Sequence, residues 1–259
     1  MIHPTSIISK KSSIAKNIKI GPFCIVDDNV EINENCELIS NVHITGKTKI
    51  GKNNKFFPFC SIGTIPQDLK YSGENSKLII GNNNIFREHV TVNPGTLGGG
   101  MVTKIHDNCL FMVGTHVAHD CEIFSNVIMA NNATLAGHIK VYNNAIIGGL
   151  SAIHQFVSIG KYAMIGGMSG VGLDIIPYGL YTGIRGEKLR GLNIIGMQRK
   201  GIKKENIKKI QKIFFKIFNK KSSIEENIKL VSSKDKEILE IKEIIDFINK
   251  NQSRGICRL

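Results

Sequence analysis

The sequence predicts a mainly β protein: a parallel β-helix of triangular coils followed by a small α-helical unit. Three observations carry that prediction. A six-residue apolar period runs from the N-terminus to Val171, it stops at Pro177, and apolar residues spaced by three and four take over beyond residue 200.

Steps of six from Ile2 land on Ile8, Ile14, Ile20, Val26, Ile32, Leu38, Ile44, Ile50, Phe56 and Ile62. The register resumes at Ile80, Phe86 and Val92, shifts, and runs again from Ile105 through Phe111, Val117, Ile123, Met129, Leu135, Val141, Ile147, Ile153, Ile159 and Ile165 to Val171. In this last run the fifth hexad position is small or β-branched, as at Cys109, Thr115, Cys121, Val127 and Ala133. One large and one small inward residue per hexad describe a short strand and a tight corner. Three hexads close an 18-residue coil, and coils stack through parallel strand hydrogen bonds at ~4.8 Å, giving about 8–9 coils. Asn and Gly recur near the corners (Asn53–Asn54, Asn82–Asn84, Asn131–Asn132, Asn143–Asn144), where left-handed backbone is needed.

Two insertions interrupt the period, at 64–79 and 95–104, and loops on a rigid scaffold are where function concentrates. Residues 178–190 read as a linker. Beyond it, Ile202, Ile207, Ile210, Ile213, Phe214, Ile217 and Phe218 mark one amphipathic helix, and Ile238, Ile241, Ile244, Ile245 and Ile248 a second. The expected organisation is a β-helix over 1–184 and a basic helical unit over 185–259.

The net charge of +13 first suggests a nucleic-acid binder. Its distribution argues against that: residues 1–184 hold 14 Lys/Arg against 12 Asp/Glu, and residues 185–259 hold 20 against 9. The body is nearly neutral and the C-terminal quarter is basic. No apolar run approaches the ~20 residues of a spanning helix, and the N-terminus lacks a secretory apolar core, so a cytoplasmic protein is expected. The six cysteines form no C-x-x-C pair and no metal-ligand spacing, and read as reduced packing residues.

Four of the eight histidines, His116, His119, His138 and His154, fall on neighbouring coils of the second run and could line one edge. No G-x-S-x-G and no Cys–His pairing points to a covalent nucleophile.

The segments INENCE, AHDC (118–121), NNATLAGH (131–138), HQF (154–156), IGGMSGV (165–171), QDLKYSGE (67–74) and RKG (199–201) resemble those of the UDP-N-acetylglucosamine O-acyltransferases, over essentially the whole chain. The resemblance implies a left-handed coil and a homotrimer with sites between neighbouring prisms. It implies transfer of a 3-hydroxyacyl chain from acyl carrier protein to the 3-hydroxyl of UDP-N-acetylglucosamine, the first step of lipid A synthesis, with no cofactor and no metal. By position, His119 is then the general base, Asp120 its orienting partner and Gly137 the backbone oxyanion donor. Asp68, Lys70, His116, His138, His154 and Gln155 match substrate contacts, Asn193 and Arg199 match nucleotide contacts, and Gly167 matches the acyl-length ruler. A glycine there leaves room for a donor of about fourteen carbons by that resemblance.

Three departures bear on substrate contacts: Asn93-Pro94-Gly95-Thr96 replaces His-Arg-Gly-Thr, Ile195 stands where the family has glutamate, and Lys200 replaces an arginine, keeping the charge without the bidentate geometry. An N-acyltransferase acting on an amino-sugar nucleotide is the nearest alternative reading. A metal-dependent enzyme resembling the carbonic anhydrases and a non-catalytic β-helix are more distant ones.

Overall fold

The computed structural model describes residues 1–183, 188–219, 222–250 and 253–259. The hexads form a left-handed parallel β-helix. Its three flat faces are parallel sheets, most strands being two residues long. Face I has nine strands, from Ile7–Ile8 to Gly170–Val171, and face II has eight, from Ser13–Ile14 to Ser158–Ile159. Face III has ten, beginning at Lys19–Ile20. Each coil visits I, II and III in turn, so an 18-residue step returns to the same face: His116 pairs with Thr134, and Thr134 with Ala152.

The stepped apolar residues point inward as the period requires. From Ile20 to Val171 they are at most 2% exposed. Phe56, Phe86 and Phe111 stack along the axis with centroids 4.8 Å apart, the coil spacing itself. Ile2 departs from this: it is 49% exposed, because the first coil has no coil above to cover it. All six cysteines are free and buried.

The corners use left-handed backbone, with φ between 52° and 66° at the non-glycine positions from Phe23 to Met168 apart from Met101 in the second insertion. Asn is the usual occupant, since its short side chain tolerates this region best. Asn54 and Asn84 do something else. They are buried beside the corner, where Asn54 Oδ1 accepts from Asn84 N and Asn84 Oδ1 from Cys109 N, a ladder that pairs backbone the strands leave open.

Both insertions leave from face I and re-enter at face II in consecutive coils, so they emerge side by side on the I/II edge. Strand register continues across them: Lys77 pairs with both Lys47 and Val102.

The segment expected as a linker is partly ordered strand. Gly179–Tyr181 extends face III, and Leu189–Leu192 pairs with it antiparallel. The expected boundary at residue 184 lies outside the described residues. Among the described residues five helices follow: α1 (Ile194–Arg199), α2 (Lys204–Ile217), α3 (Ile224–Lys229), α4 (Ser233–Lys236) and α5 (Leu239–Lys250). The two spacings read from sequence correspond to α2 and α5, whose Ile210, Phe214, Ile241 and Ile244 are fully buried. The chain end returns to the prism, where Asp174 and Ile256 form a parallel bridge.

Candidate active site on one prism edge

Asp120, His138 and Phe156 stand at equivalent left-handed corners of three successive coils on the I/II edge, with φ of 58°, 63° and 66°. The residues just before them, His119, Gly137 and Gln155, are likewise stacked.

His119 is 5% exposed and lies against a saturated carboxylate. Its Nδ1 is 2.9 Å from Asp120 Oδ2. Thr96 Oγ1 donates to the same oxygen at 2.6 Å, and Thr96 N donates to Oδ1 at 2.9 Å. The backbone is pinned too, with Asp120 N donating to Thr103 Oγ1 at 2.8 Å. A carboxylate that receives Thr96 N–H and O–H is an acceptor, so the proton of the His119 pair resides on Nδ1. That leaves the Nε2 lone pair free to take a proton. The first insertion brings Asp68 Oδ2 to 4.0 Å from this Nε2.

Gly137 lies directly under the His119 ring. A Cβ there would fall 2.4 Å from Cε1 and 2.7 Å from Nε2, so only glycine permits this approach. The Gly137 N–H makes no hydrogen bond among the described residues. An unpaired backbone N–H on the residue packed against the His119 ring is a group that can stabilise negative charge developing on an attacked carbonyl.

His138 meets the His119 ring edge-on at 5.0 Å and stacks flat on Phe156 at 4.4 Å. Burial lowers the His138 pKa, with nearby Asp120 acting the other way. Burial also lowers that of His116, whose Nδ1 is 2.7 Å from Thr91 Oγ1. Lys70 is exposed on the first insertion. His154 Nδ1 lies 3.3 Å from the Gln155 carbonyl, which also accepts from Arg254 Nε at 2.7 Å.

His119, Asp120 and His138 each offer one ligand atom within 4.8 Å of the others. The His119 Nδ1–Asp120 Oδ2 hydrogen bond and the two Thr96 donors already engage Asp120, and the pair as arranged suits proton transfer.

The remaining expected residues lie elsewhere. Asn193 and Arg199 line a cavity of about 770 Å³ on the outer side of face III, opposite the I/II edge. The Asn193 side chain caps α1 by accepting from Gly196 N, and donates to the Tyr162 carbonyl. Lys200 lines this cavity too, with its charge engaged by the protein itself. Its Nζ donates to Tyr178 Oη at 2.8 Å and to Glu240 at 3.1 Å, packed over the Tyr162 and Tyr178 rings. Ile195 gives the cavity an apolar, exposed wall. Gly167 is on the III/I edge, with its would-be Cβ 3.2 Å from Gly149 O. Asn93 is buried and donates to the carbonyls of Thr64 and Ile65, fixing the root of the first insertion.

Sequence reasoning did not single out Thr96, Thr103 or Arg254, nor the crowding at Gly99, whose would-be Cβ falls 1.9 Å from Asp120 Cγ. The glycine density of GTLGGG was the available signal.

A family model for the second domain of UDP-N-acetylglucosamine O-acyltransferases matches residues 174–257. The chain is 49% identical over 257 residues to the acyl-[acyl-carrier-protein]–UDP-N-acetylglucosamine O-acyltransferase of Thermodesulfovibrio yellowstonii, covering 99% of each. It is 51% identical to the enzyme of the same name from Rickettsia canadensis, covering 99% of this chain and 97% of that one. LpxA from Acinetobacter baumannii superposes with a TM-score of 0.95 at 40% identity, with 99% of both chains covered.

Proposed function

The chain belongs to the acyl-[acyl-carrier-protein]–UDP-N-acetylglucosamine O-acyltransferases, and from that premise we propose that it moves a 3-hydroxyacyl chain onto the 3-hydroxyl of UDP-N-acetylglucosamine with His119 as base. The observation that carries the mechanism is the imidazole held through Nδ1 by a buried carboxylate, with Gly137, whose N–H is unpaired among the described residues, packed against its ring.

His119 Nε2 takes the proton of the sugar hydroxyl as the oxygen attacks the thioester carbonyl. The C–O bond forms, and negative charge moves to the carbonyl oxygen, where the Gly137 N–H donates to it. Collapse restores the carbonyl and breaks the C–S bond. The leaving thiolate recovers the proton from the imidazolium, which Asp120 stabilises meanwhile. No cofactor enters the balance. Asp68, Lys70, His116, His138, His154 and Gln155 serve as substrate contacts around this centre.

The nucleotide contacts, Asn193 and Arg199, lie on the opposite side of the prism from His119. One ligand reaches both sets only if two prisms adjoin, which supports a homotrimer with shared sites. The III/I edge suits such a contact, with Phe23, Phe59, Leu150 and Met168 exposed along it. That edge also carries Gly167, the proposed limit on acyl length, consistent with a donor of about fourteen carbons by the resemblance. Lys203, Lys204 and Lys208 are exposed on and beside α2 and offer the acidic carrier protein a docking surface. Among the described residues no helix is long and apolar enough to cross a membrane, and we place the reaction in the cytoplasm.

The test is ester formation from UDP-N-acetylglucosamine with 3-hydroxyacyl carrier proteins of ten to fourteen carbons, comparing wild type with His119→Ala. Wild type is expected to prefer the longest donor, and the variant to lose at least about 100-fold in kcat. Equal rates in the two proteins would remove His119 from the mechanism. Transfer only to an amino-sugar acceptor would favour N-acylation.

A further inference from the structure

Glu74 closes the QDLKYSGE motif, and nothing above gives its side chain a role. It is half-buried where the two insertions meet. Its Oε1 accepts a hydrogen bond from the Leu97 N–H of the second insertion at 3.0 Å, and its Oε2 accepts from Ser72 N–H of the first at 2.8 Å. The Glu74 carbonyl accepts from Ser76 N at 2.8 Å and from the Tyr71 hydroxyl at 3.4 Å, which closes the turn around it. The Leu97 amide is foremost among the bonds that hold the Glu74 carboxyl below its ordinary pKa, so it is ionised at neutral pH and accepts only.

Each insertion touches the His119–Asp120 pair from a different side. The first carries Asp68, 4.0 Å from His119 Nε2. The second carries Thr96, next to Leu97, which donates twice to Asp120. We propose that Glu74 is a positioning residue that clamps the two insertions together, setting Asp68 and Asp120 against opposite nitrogens of one imidazole. The proposal rests on the reading of His119 as the base. The clamp is not needed to build the prism, because the Lys47, Lys77 and Val102 ladder runs past the insertions without it.

The clamp can be opened from either end. Glu74→Ala removes the acceptor. Leu97→Pro removes the donor and little else: Leu97 is the first residue of a single 3₁₀ turn, where a missing N–H is tolerated. Thr96 has φ −131° and ψ 167°, already suited to precede proline, and the Leu97 side chain is 77% exposed. Glu74→Gln keeps an oxygen for Leu97 and serves as the conservative variant.

Kinetics of the full-length chain with UDP-N-acetylglucosamine and the 3-hydroxyacyl carrier protein are expected to show kcat about tenfold lower in Glu74→Ala and in Leu97→Pro. KM for the carrier and the melting temperature should hold, with partial recovery in Glu74→Gln. The double variant should be no slower than either single one, since both break one bond. Wild-type kcat in Leu97→Pro, or losses that multiply in the double variant, would overturn the proposal. If Glu74→Ala does not fold, Leu97→Pro decides alone. The two readings fail differently. An inactive wild type strikes the substrate assignment. The clamp itself is read without activity, by hydrogen exchange at the Leu97 amide, which is expected to be protected in wild type and to lose protection in Glu74→Gln less than in Glu74→Ala. Equal exchange in wild type and Glu74→Ala would overturn the clamp.

Discussion

Gly137→Ala separates the geometry of the site from the stability of the fold. The added Cβ would lie 2.4 Å from His119 Cε1, 2.7 Å from Nε2 and 3.0 Å from Nδ1. Carbon atoms in contact need roughly 3.5 Å, so the imidazole must retreat by roughly 1 Å. Its Nδ1 sits 2.9 Å from Asp120 Oδ2, and a displacement of that size opens this bond beyond hydrogen-bonding range. An error of about 1 Å at a reacting group costs about 100-fold in rate. The fold should not notice. Gly137 is absent from the left-handed glycines, so alanine meets no backbone penalty, and the obstructing atoms belong to a side chain that can swing. Initial rates at saturating substrates are expected to fall about 100-fold in kcat, with KM for UDP-N-acetylglucosamine within about threefold and the melting temperature unchanged or slightly higher. A kcat within about threefold of wild type would refute the reasoning, since it would mean that the imidazole works from some other position.

Two further outcomes follow from buried charges away from the I/II edge. Asp174 is fully buried, with Oδ1 accepting from Ser158 N at 2.7 Å and Oδ2 unpartnered, and burial raises its pKa to about 6. The folded chain thus holds a proton that the unfolded chain releases near pH 4, so protonation stabilises below about pH 4 and that contribution is lost as pH rises through about 6. Asp174→Asn should exceed wild type in urea unfolding free energy at pH 7.5, by about 3 kcal/mol, and lose the advantage by about pH 4; a difference constant with pH would refute this. Lys200→Ala removes the cation from Glu240 and one donor from Tyr178 Oη, while Lys161 still pairs with Glu243, and should cost about 2–3 kcal/mol in denaturant unfolding. It should raise KM for UDP-N-acetylglucosamine less than Arg199→Ala does, and the opposite order would return Lys200 to the nucleotide site.

The fold was legible because a β-helix writes its geometry in the chain at one fixed interval. Outside the two insertions each coil strand contributes an inward residue six positions after the last, and 18-residue arithmetic places His119 and His138 on neighbouring coils before any coordinate is seen. Where that interval ends, legibility ends too. Gly179–Tyr181 and Leu189–Leu192 are three and four residues long and pair antiparallel, a relation with no period. Helices α3 and α4, of six and four residues, are too short to show one. In the site, residues supplied by the coil were found and those supplied by loops or by the chain end were not. Thr96 reaches Asp120 across 24 positions and Arg254 reaches Gln155 across 99, and no spacing rule anticipates either contact. The engagement of Lys200 was out of reach for a related reason: its partner, Glu240, lies on α5, 40 residues further along.

The corners carry a finer signal, because left-handed backbone costs most residues about 1 kcal/mol and asparagine less. On the II/III edge the left-handed positions read Asn35, Asn53, Asn83, Asn108, Asn126 and Asn144, then change to Tyr162 and Tyr178. The change falls where those rings stack and Lys200 packs over them, joining the prism to α1 and α5. On the I/II edge Asn29 lies far from the site, and the three consecutive corners at the site are Asp120, His138 and Phe156. A residue that pays the left-handed cost there is retained for what its side chain touches: His119 for Asp120, the His119 ring for His138, and the His138 ring for Phe156. The III/I edge breaks the asparagine rule most often, at Phe23, Phe59, His89, Leu150 and Met168. Phe59 and His89 stack on each other at 5.0 Å, while Leu150 and Met168 contact solvent. Costly backbone combined with exposed apolar surface is doubly unfavourable in an isolated prism. Both costs are offset if that edge is covered, which is the physical support for the proposed contact with a neighbouring copy there.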